Sequence, residues 1–146
     1  MSKLQQLFQD NIRKPIGLYI HIPFCTVLCP FCDFYKTSWS SNQESKFISA
    51  FQKEINFYKT TPRLSLKSIF FGGGTPSVLS DSSIQTLMDA VSTIFDLTQC
   101  NEQSFEANPE DISEKKLISF KTAGLNRISL GVQTLDNKEV IQLGRG

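Results

Sequence analysis

Short apolar runs alternate with longer stretches of helical spacing along this chain, and the alternation occurs four times. GLYIHI at Gly17–Ile22, LKSIFF at Leu66–Phe71, QSFEA at Gln103–Ala107 and NRISLGV at Asn126–Val132 have the length and β-branched or aromatic content of strands. Between them Phe47, Phe51, Ile55 and Tyr58 recur at every third or fourth position, as do Ile84, Leu87, Met88, Val91, Ile94 and Phe95, which predicts two helices. Ser80 and Asp81 suit the N-cap of the second. Ser113 suits the cap of a third, which Gly124 ends in the position that favours glycine. Asp136 with Glu139 three residues on resembles a capping box for a short fourth helix closed by Gly144. The polar stretch TSWSSNQES, Thr37–Ser45, is expected to be a surface loop leading into the first helix.

Strand–helix alternation of this kind implies an α/β domain of parallel strands joined by right-handed crossovers. In such a domain the functional residues gather in the loops after the strands. The unusual residues agree with this. A run of cysteines follows the first strand, Gly72-Gly73-Gly74-Thr75-Pro76 the second, Glu106-Ala107-Asn108-Pro109 the third and Gln133 the fourth. All four therefore belong at one end of the sheet, around a single site.

Composition narrows the function classes. A chain of 146 residues holds one domain of ordinary size. A hydrophobic content of 40% and a charged content of 20% are those of a globular protein, which also makes its twelve phenylalanines core residues in the main. A net charge of +1 supplies no basic field for nucleic acid. No apolar run is long enough to form a transmembrane segment, and MSKLQQLFQDN lacks a secretory apolar region, so a cytoplasmic location is expected.

The cysteines carry the sharpest signal. Cys25, Cys29 and Cys32 spell C-x3-C-x2-C inside YIHIPFCTVLCPFCDF, and Cys100 stands far off in a polar stretch. Three thiolates at this spacing suit a [4Fe–4S] cube, whose irons each take one thiolate, and leave one iron open for a small molecule. Zinc held by His21, Cys25, Cys29 and Cys32 is the main rival, although His21 falls in a strand-like run. Cys29 and Cys32 alone match a C-x-x-C thiol pair, and a disulfide framework fits poorly with three close cysteines and one distant. Gly72–Gly74 allow close backbone approach to a ligand, or simply make a tight turn. Glu106 and Gln133 are either ligand contacts or rim residues, and Arg145 is either a fork for a carboxylate or a solvated surface residue.

Taken together, YIHIPFCTVLCPFCDF, FFGGGTPSVL, FEANP, GLNRISLGVQT and LGRG resemble the radical S-adenosylmethionine family, in its coproporphyrinogen III dehydrogenase-like branch. The resemblance runs from Tyr19 to Gly146. Within the branch Asp33, in Cys32-Asp33-Phe34, matches the haem-chaperone form, where the oxidase form adds a further cysteine. The resemblance implies that Cys25, Cys29 and Cys32 hold the [4Fe–4S] cluster and that S-adenosylmethionine chelates the open iron. It implies contacts to this cofactor from Tyr19, Phe31, Gly73, Gly74, Thr75, Glu106, Gln133 and Arg145. In the family an electron from the reduced cluster cleaves the sulfonium to methionine and a 5′-deoxyadenosyl radical. The implied function is haem handling, with haem or a porphyrin, a haemoprotein acceptor and an electron donor as partners. The alternative is oxidative decarboxylation of coproporphyrinogen III.

The resemblance also implies that residues 1–146 form the N-terminal part of a TIM-like radical S-adenosylmethionine barrel, with the rest of the barrel and a C-terminal domain absent. The family's haem-binding His-Asn-x-x-Tyr-Trp motif is not found before Gly146, so an inactive fragment is a further expectation. On this reading the fourth strand ends in an unpaired edge that exposes the inward-facing Ile128 and Leu130.

Overall fold

The computed structural model describes residues 14–59 and 63–145. Strands lie at Ile16–Ile22 (β1), Phe24–Cys25 (β2), Thr37–Ser38 (β3), Leu66–Gly73 (β4), Glu102–Ala107 (β5) and Arg127–Leu130 (β6). Helices lie at Ser41–Ile55 (α1), Asp81–Ile94 (α2), Glu114–Thr122 (α3) and Asn137–Gln142 (α4). MSKLQQLFQDN and the last glycine of LGRG fall outside the described residues.

Each of the four apolar runs is a strand, and the sheet order β1-β4-β5-β6 is parallel throughout. Parallel partners in register share a face. Leu18, Ile69 and Gln103 therefore lie on one side, with Ile20, Phe71 and Phe105 beside them. Ile20, Ile22, Ile69, Phe71 and Phe105 pack there against Ile55 of α1, Ile84, Leu87 and Val91 of α2 and Phe120 of α3 in one continuous core. Tyr19, Phe70, Ser104, Glu106, Arg127 and Ser129 point to the opposite side. Helices covering one face of a parallel sheet are the geometry of a (β/α) barrel wall rather than of a doubly wound sheet. Phe71, Phe105 and Phe120 are wholly buried, with the Phe105 and Phe120 rings 4.7 Å apart. Each such side chain stabilises the fold by about 1.5–3 kcal/mol. Phe34 and Phe57 lie exposed instead.

The caps follow the sequence. Ser80 accepts from the Ser83 amide, Ser113 from Lys116, and Gly124 takes a φ of +99° at the end of α3. At α4, Asp136 accepts from the Lys138 amide, but Glu139 does not return to it. Its carboxylate takes the Thr134 hydroxyl instead, and Thr134 in turn accepts from the Asp136 amide at 3.1 Å. A threonine two residues ahead of the cap thus replaces half of the expected box.

Two expectations are corrected. The stretch Thr37–Ser45 is not a loop: Thr37–Ser38 pairs with Phe24–Cys25, Ser40 caps α1, and Ser41–Ser45 is already helix. Its polarity is that of an N-cap and first turn, in which Glu44 is buried. Ile128 and Leu130 do not face inward. They pair with Phe105 and Ala107, so they lie on the helix side, where Ile128 packs against the core and Leu130 is 52% exposed. The face of β6 away from the helices carries Arg127 and Ser129. No helix among the described residues is long and apolar enough to cross a membrane.

Candidate functional site

At the C-terminal end of the sheet β1 runs through Pro23 directly into Cys25, and the glycine-rich turn after β4 is laid against it. The Gly74 amide donates to the Ile22 carbonyl at 2.8 Å and the Thr75 amide to the Phe24 carbonyl at 2.7 Å. A Cβ on Gly74 would stand 2.8 Å from the Phe24 carbonyl oxygen and 2.9 Å from the Cys25 sulfur. Gly73 has a φ of +122°, and its amide donates to the Glu106 carboxylate at 3.1 Å. The glycines are therefore there for close approach as well as for the turn. They let one backbone meet both a cysteine and the carboxylate at the end of β5.

The cysteine loop, residues 26–36, is closed at its base by the β2–β3 pair. The Thr37 amide donates to the Pro23 carbonyl at 2.7 Å and the Trp39 amide to the Cys25 carbonyl at 2.9 Å. The Trp39 indole continues the tie by donating to Glu44 at 2.7 Å. Glu44 also receives the Ser80 amide at 2.9 Å and the hydroxyls of Ser80 and Ser83 at 2.7 and 2.6 Å. Burial alone pushes this carboxyl up, but the donors from Ser83, Ser80 and Trp39 together hold it below the usual carboxylate range. One ionised side chain thus links the cysteine loop, α1 and the cap of α2.

A cavity of about 600 Å³ opens at this end. Cys25, Cys29 and Cys32 line it together with Gly73, Gly74 and Thr75, and so do Phe31, Glu106, Gln133 and Arg145 of the residues expected from sequence. Tyr19 lies outside the lining. It stacks on Phe70 with ring centroids 5.8 Å apart, and its hydroxyl meets His21 Nδ1 at 2.9 Å. The other nitrogen of His21, Nε2, meets the Tyr35 carbonyl at 3.1 Å. A carbonyl can only accept, so Nε2 is the donor in that bond. With both nitrogens engaged, His21 is not available to the zinc site that its spacing allowed.

The donor set fits a cluster. All four cysteines are free thiols, and three of them share one cavity. Among the described residues no three His, Cys, Asp or Glu side chains converge as the ligands of one ion do. A cube takes its thiolates on separate irons, so its ligands stand further apart than those of a single metal. Burial pushes the Cys25 thiol up; the Thr75 hydroxyl opposes this, Cys32 and Cys29 add to it, and Lys36 opposes it again. Cys100 sits before β5, at the opposite end of the sheet, packed against the core. The cavity volume is that of a pocket for a small organic ligand, and Glu106 places a carboxylate in its wall.

Arg145 and Asn108 complete the wall. Arg145 does not stand free for a carboxylate: Nη1 donates to the Gly131 carbonyl at 2.6 Å and Nη2 to Asn108 Oδ1. Asn108 in turn donates from Nδ2 to the Thr75 hydroxyl at 3.4 Å. Sequence reasoning assigned no role to Asn108 or to Lys36, which also lines the cavity. The available signal for Asn108 was its place in Glu-Ala-Asn-Pro, an amide side chain just past the end of a strand. Gln133 reaches the rim from an exposed position beyond β6.

Comparison with known proteins gives four findings. Residues 19–146 match the Radical SAM superfamily. The heme chaperone HemW of Bacillus subtilis is 41% identical over 129 residues, covering 87% of this chain and 34% of that protein. HemW of Lactococcus lactis is 37% identical over 134 residues, covering 92% of this chain and 35% of that protein. In structure, the radical SAM enzyme coproporphyrinogen III oxidase (HemN) of Escherichia coli superposes with a TM-score of 0.85 at 28% identity, over 97% of this chain and 34% of that one. The chain thus spans about a third of the length of the proteins that it matches.

Proposed function

The chain belongs to the radical SAM superfamily, and we propose that its residues form the N-terminal part of the core of a HemW-like haem chaperone. Cys25, Cys29 and Cys32 hold a [4Fe–4S] cluster. Gly73, Gly74, Thr75, Glu106 and Gln133 bind S-adenosylmethionine beside it, with Phe31 and Arg145 in the cavity wall and Tyr19 next to Glu106 on the inner face. When bound, cluster and cofactor supply one-electron reductive chemistry. The chain's own residues hold them: the glycines admit the ligand to the backbone, Glu106 offers a carboxylate to its hydroxyl or amino groups, and the cysteine loop lies over the cavity.

The observation that carries this reading is the convergence of three thiols, the glycine turn and Glu106 on one cavity. Two observations favour the chaperone: the Cys32-Asp33-Phe34 sequence and the HemW relatives. Haem or a related porphyrin is then the cargo, a haemoprotein the acceptor and a cytoplasmic reductant the electron donor. The likeness to HemN favours a second reading, oxidative decarboxylation of coproporphyrinogen III. Anaerobic reconstitution followed by haem titration and a turnover assay with coproporphyrinogen III, reductant and S-adenosylmethionine separates the two. Haem binding without decarboxylation supports the chaperone, and product above the level of a Cys25→Ala control supports the oxidase. A chain that takes up neither iron nor sulfide contradicts both.

A further inference from the structure

Of the three thiols in the cavity, Cys25 alone receives a side-chain hydrogen bond among the described residues. The Thr75 hydroxyl donates to its sulfur at 3.4 Å, and both residues are buried. The direction of that bond follows from the groups behind it. Arg145 has donors only, so the amide of Asn108 must turn its oxygen to the guanidinium. The Asn108 nitrogen then faces Thr75, at 3.4 Å from the hydroxyl oxygen. An amide nitrogen can only donate, so Thr75 accepts from it and keeps its single proton for Cys25. Two further bonds anchor the relay. Arg145 Nη1 is tied to the Gly131 carbonyl at 2.6 Å, and the backbone N–H of Asn108 donates to the buried Ser77 hydroxyl at 3.2 Å.

We propose that Asn108 and Arg145 are positioning residues that fix the Thr75 hydroxyl as a donor to the Cys25 sulfur, and that this relay raises the reduction potential of the cluster. The proposal rests on the cluster reading above. A donor to a thiolate sulfur stabilises negative charge at that ligand, and the reduced cluster carries one more negative charge than the oxidised one. The donor therefore favours the reduced form, and removing it favours the oxidised one. Cys25 is thus set apart from Cys29 and Cys32 among the residues that would hold the cluster. Thr75 thereby acts on the cluster through its hydroxyl, while the rest of the glycine turn shapes the cavity.

The test is an anaerobic redox titration of the reconstituted chain with dithionite, followed by paramagnetic resonance. Thr75→Val keeps the side-chain volume and removes the donor, while Thr75→Ser restores it. Thr75→Val is expected to bind as much iron as the wild type and to titrate at a more negative potential, with Thr75→Ser back near the wild-type value. Asn108→Leu and Arg145→Gln are expected to shift the potential in the same direction by less, because the hydroxyl then turns freely. Thr75→Val with full iron content and a wild-type potential overturns the relay. If Thr75→Val takes up no iron, Asn108→Leu decides, and a wild-type potential there overturns the relay too. A wild-type chain without iron and sulfide overturns the cluster reading and the relay with it.

Discussion

Gly74 shows how tightly a single position is set at this site. Its missing side chain is what allows the Cys25 sulfur, the Phe24 carbonyl and the turn after β4 to meet. Gly74→Ala forces a methyl to within 3 Å of these atoms, and overpacking of this kind costs about 1–3 kcal/mol. Urea unfolding is expected to show that loss, and an unchanged midpoint would contradict the close approach. The cysteines differ among themselves in a way that iron content reads directly. Cys25→Ala, Cys29→Ala and Cys32→Ala are each expected to reduce reconstituted iron to background, whereas Cys100→Ala keeps the wild-type amount. Loss of iron in Cys100→Ala as complete as in Cys29→Ala would refute the three-thiol assignment. These residues were legible in sequence because spacing and glycine runs are local signals. Asn108 was not, since its role is defined by Arg145 and Thr75, thirty-seven and thirty-three residues away. His21 was misleading for a different reason: its spacing to the cysteines does not reveal that its ring meets Tyr19, on the same face of β1, and the Tyr35 carbonyl at the far side of the cysteine loop.

Between elements, the Glu44 carboxylate joins α1 to the cap of α2 and to Trp39 at the base of the cysteine loop. Hydrogen bonds to a charged group contribute about 1.5–3 kcal/mol, so Glu44→Ala is expected to lose about 2–3 kcal/mol at neutral pH by that measure. The sign of its pH dependence follows from the direction of the shift. The carboxyl is held below its ordinary value in the folded chain, so its contribution is complete above that value and is lost as the pH falls through the folded one. The stability gap between wild type and Glu44→Ala should therefore narrow on acidification, in denaturant titrations from neutral pH downward. A gap that widens in acid would show that the carboxylate is not the stabilising form. The start of α1 was illegible because a capped, polar first turn has the composition of a loop, and burial of a glutamate leaves no mark in composition. Strand positions were better determined. β1, β4 and β5 follow their apolar runs within two residues. β6 stops at Leu130, where Val132 turns back to donate to the Leu130 carbonyl at 3.0 Å.

At the scale of the molecule, one core joins α1, α2 and α3 to the sheet, and the cysteine loop hangs from that core through Trp39 and Glu44. Thermal unfolding of the chain is thus expected to be one transition, with the fluorescence of Trp39, the single tryptophan, and far-ultraviolet dichroism changing together. Fluorescence that changes well before the helices melt would show the loop to be a separate unit. The parallel α/β architecture was legible because four strand–helix alternations leave few topologies open. The face assignment of Ile128 and Leu130 was not, because it depends on the pairing register with β5, and a shift of one residue exchanges the two faces. The central claim is that the cavity at the C-terminal end holds a three-cysteine cluster with an open iron for S-adenosylmethionine. Paramagnetic resonance of the anaerobically reconstituted, reduced chain, recorded with and without S-adenosylmethionine, tests it most directly. The account predicts the signal of one [4Fe–4S] cluster per chain that changes when S-adenosylmethionine is added. Bound zinc in place of iron, or a cluster signal indifferent to S-adenosylmethionine, would contradict it.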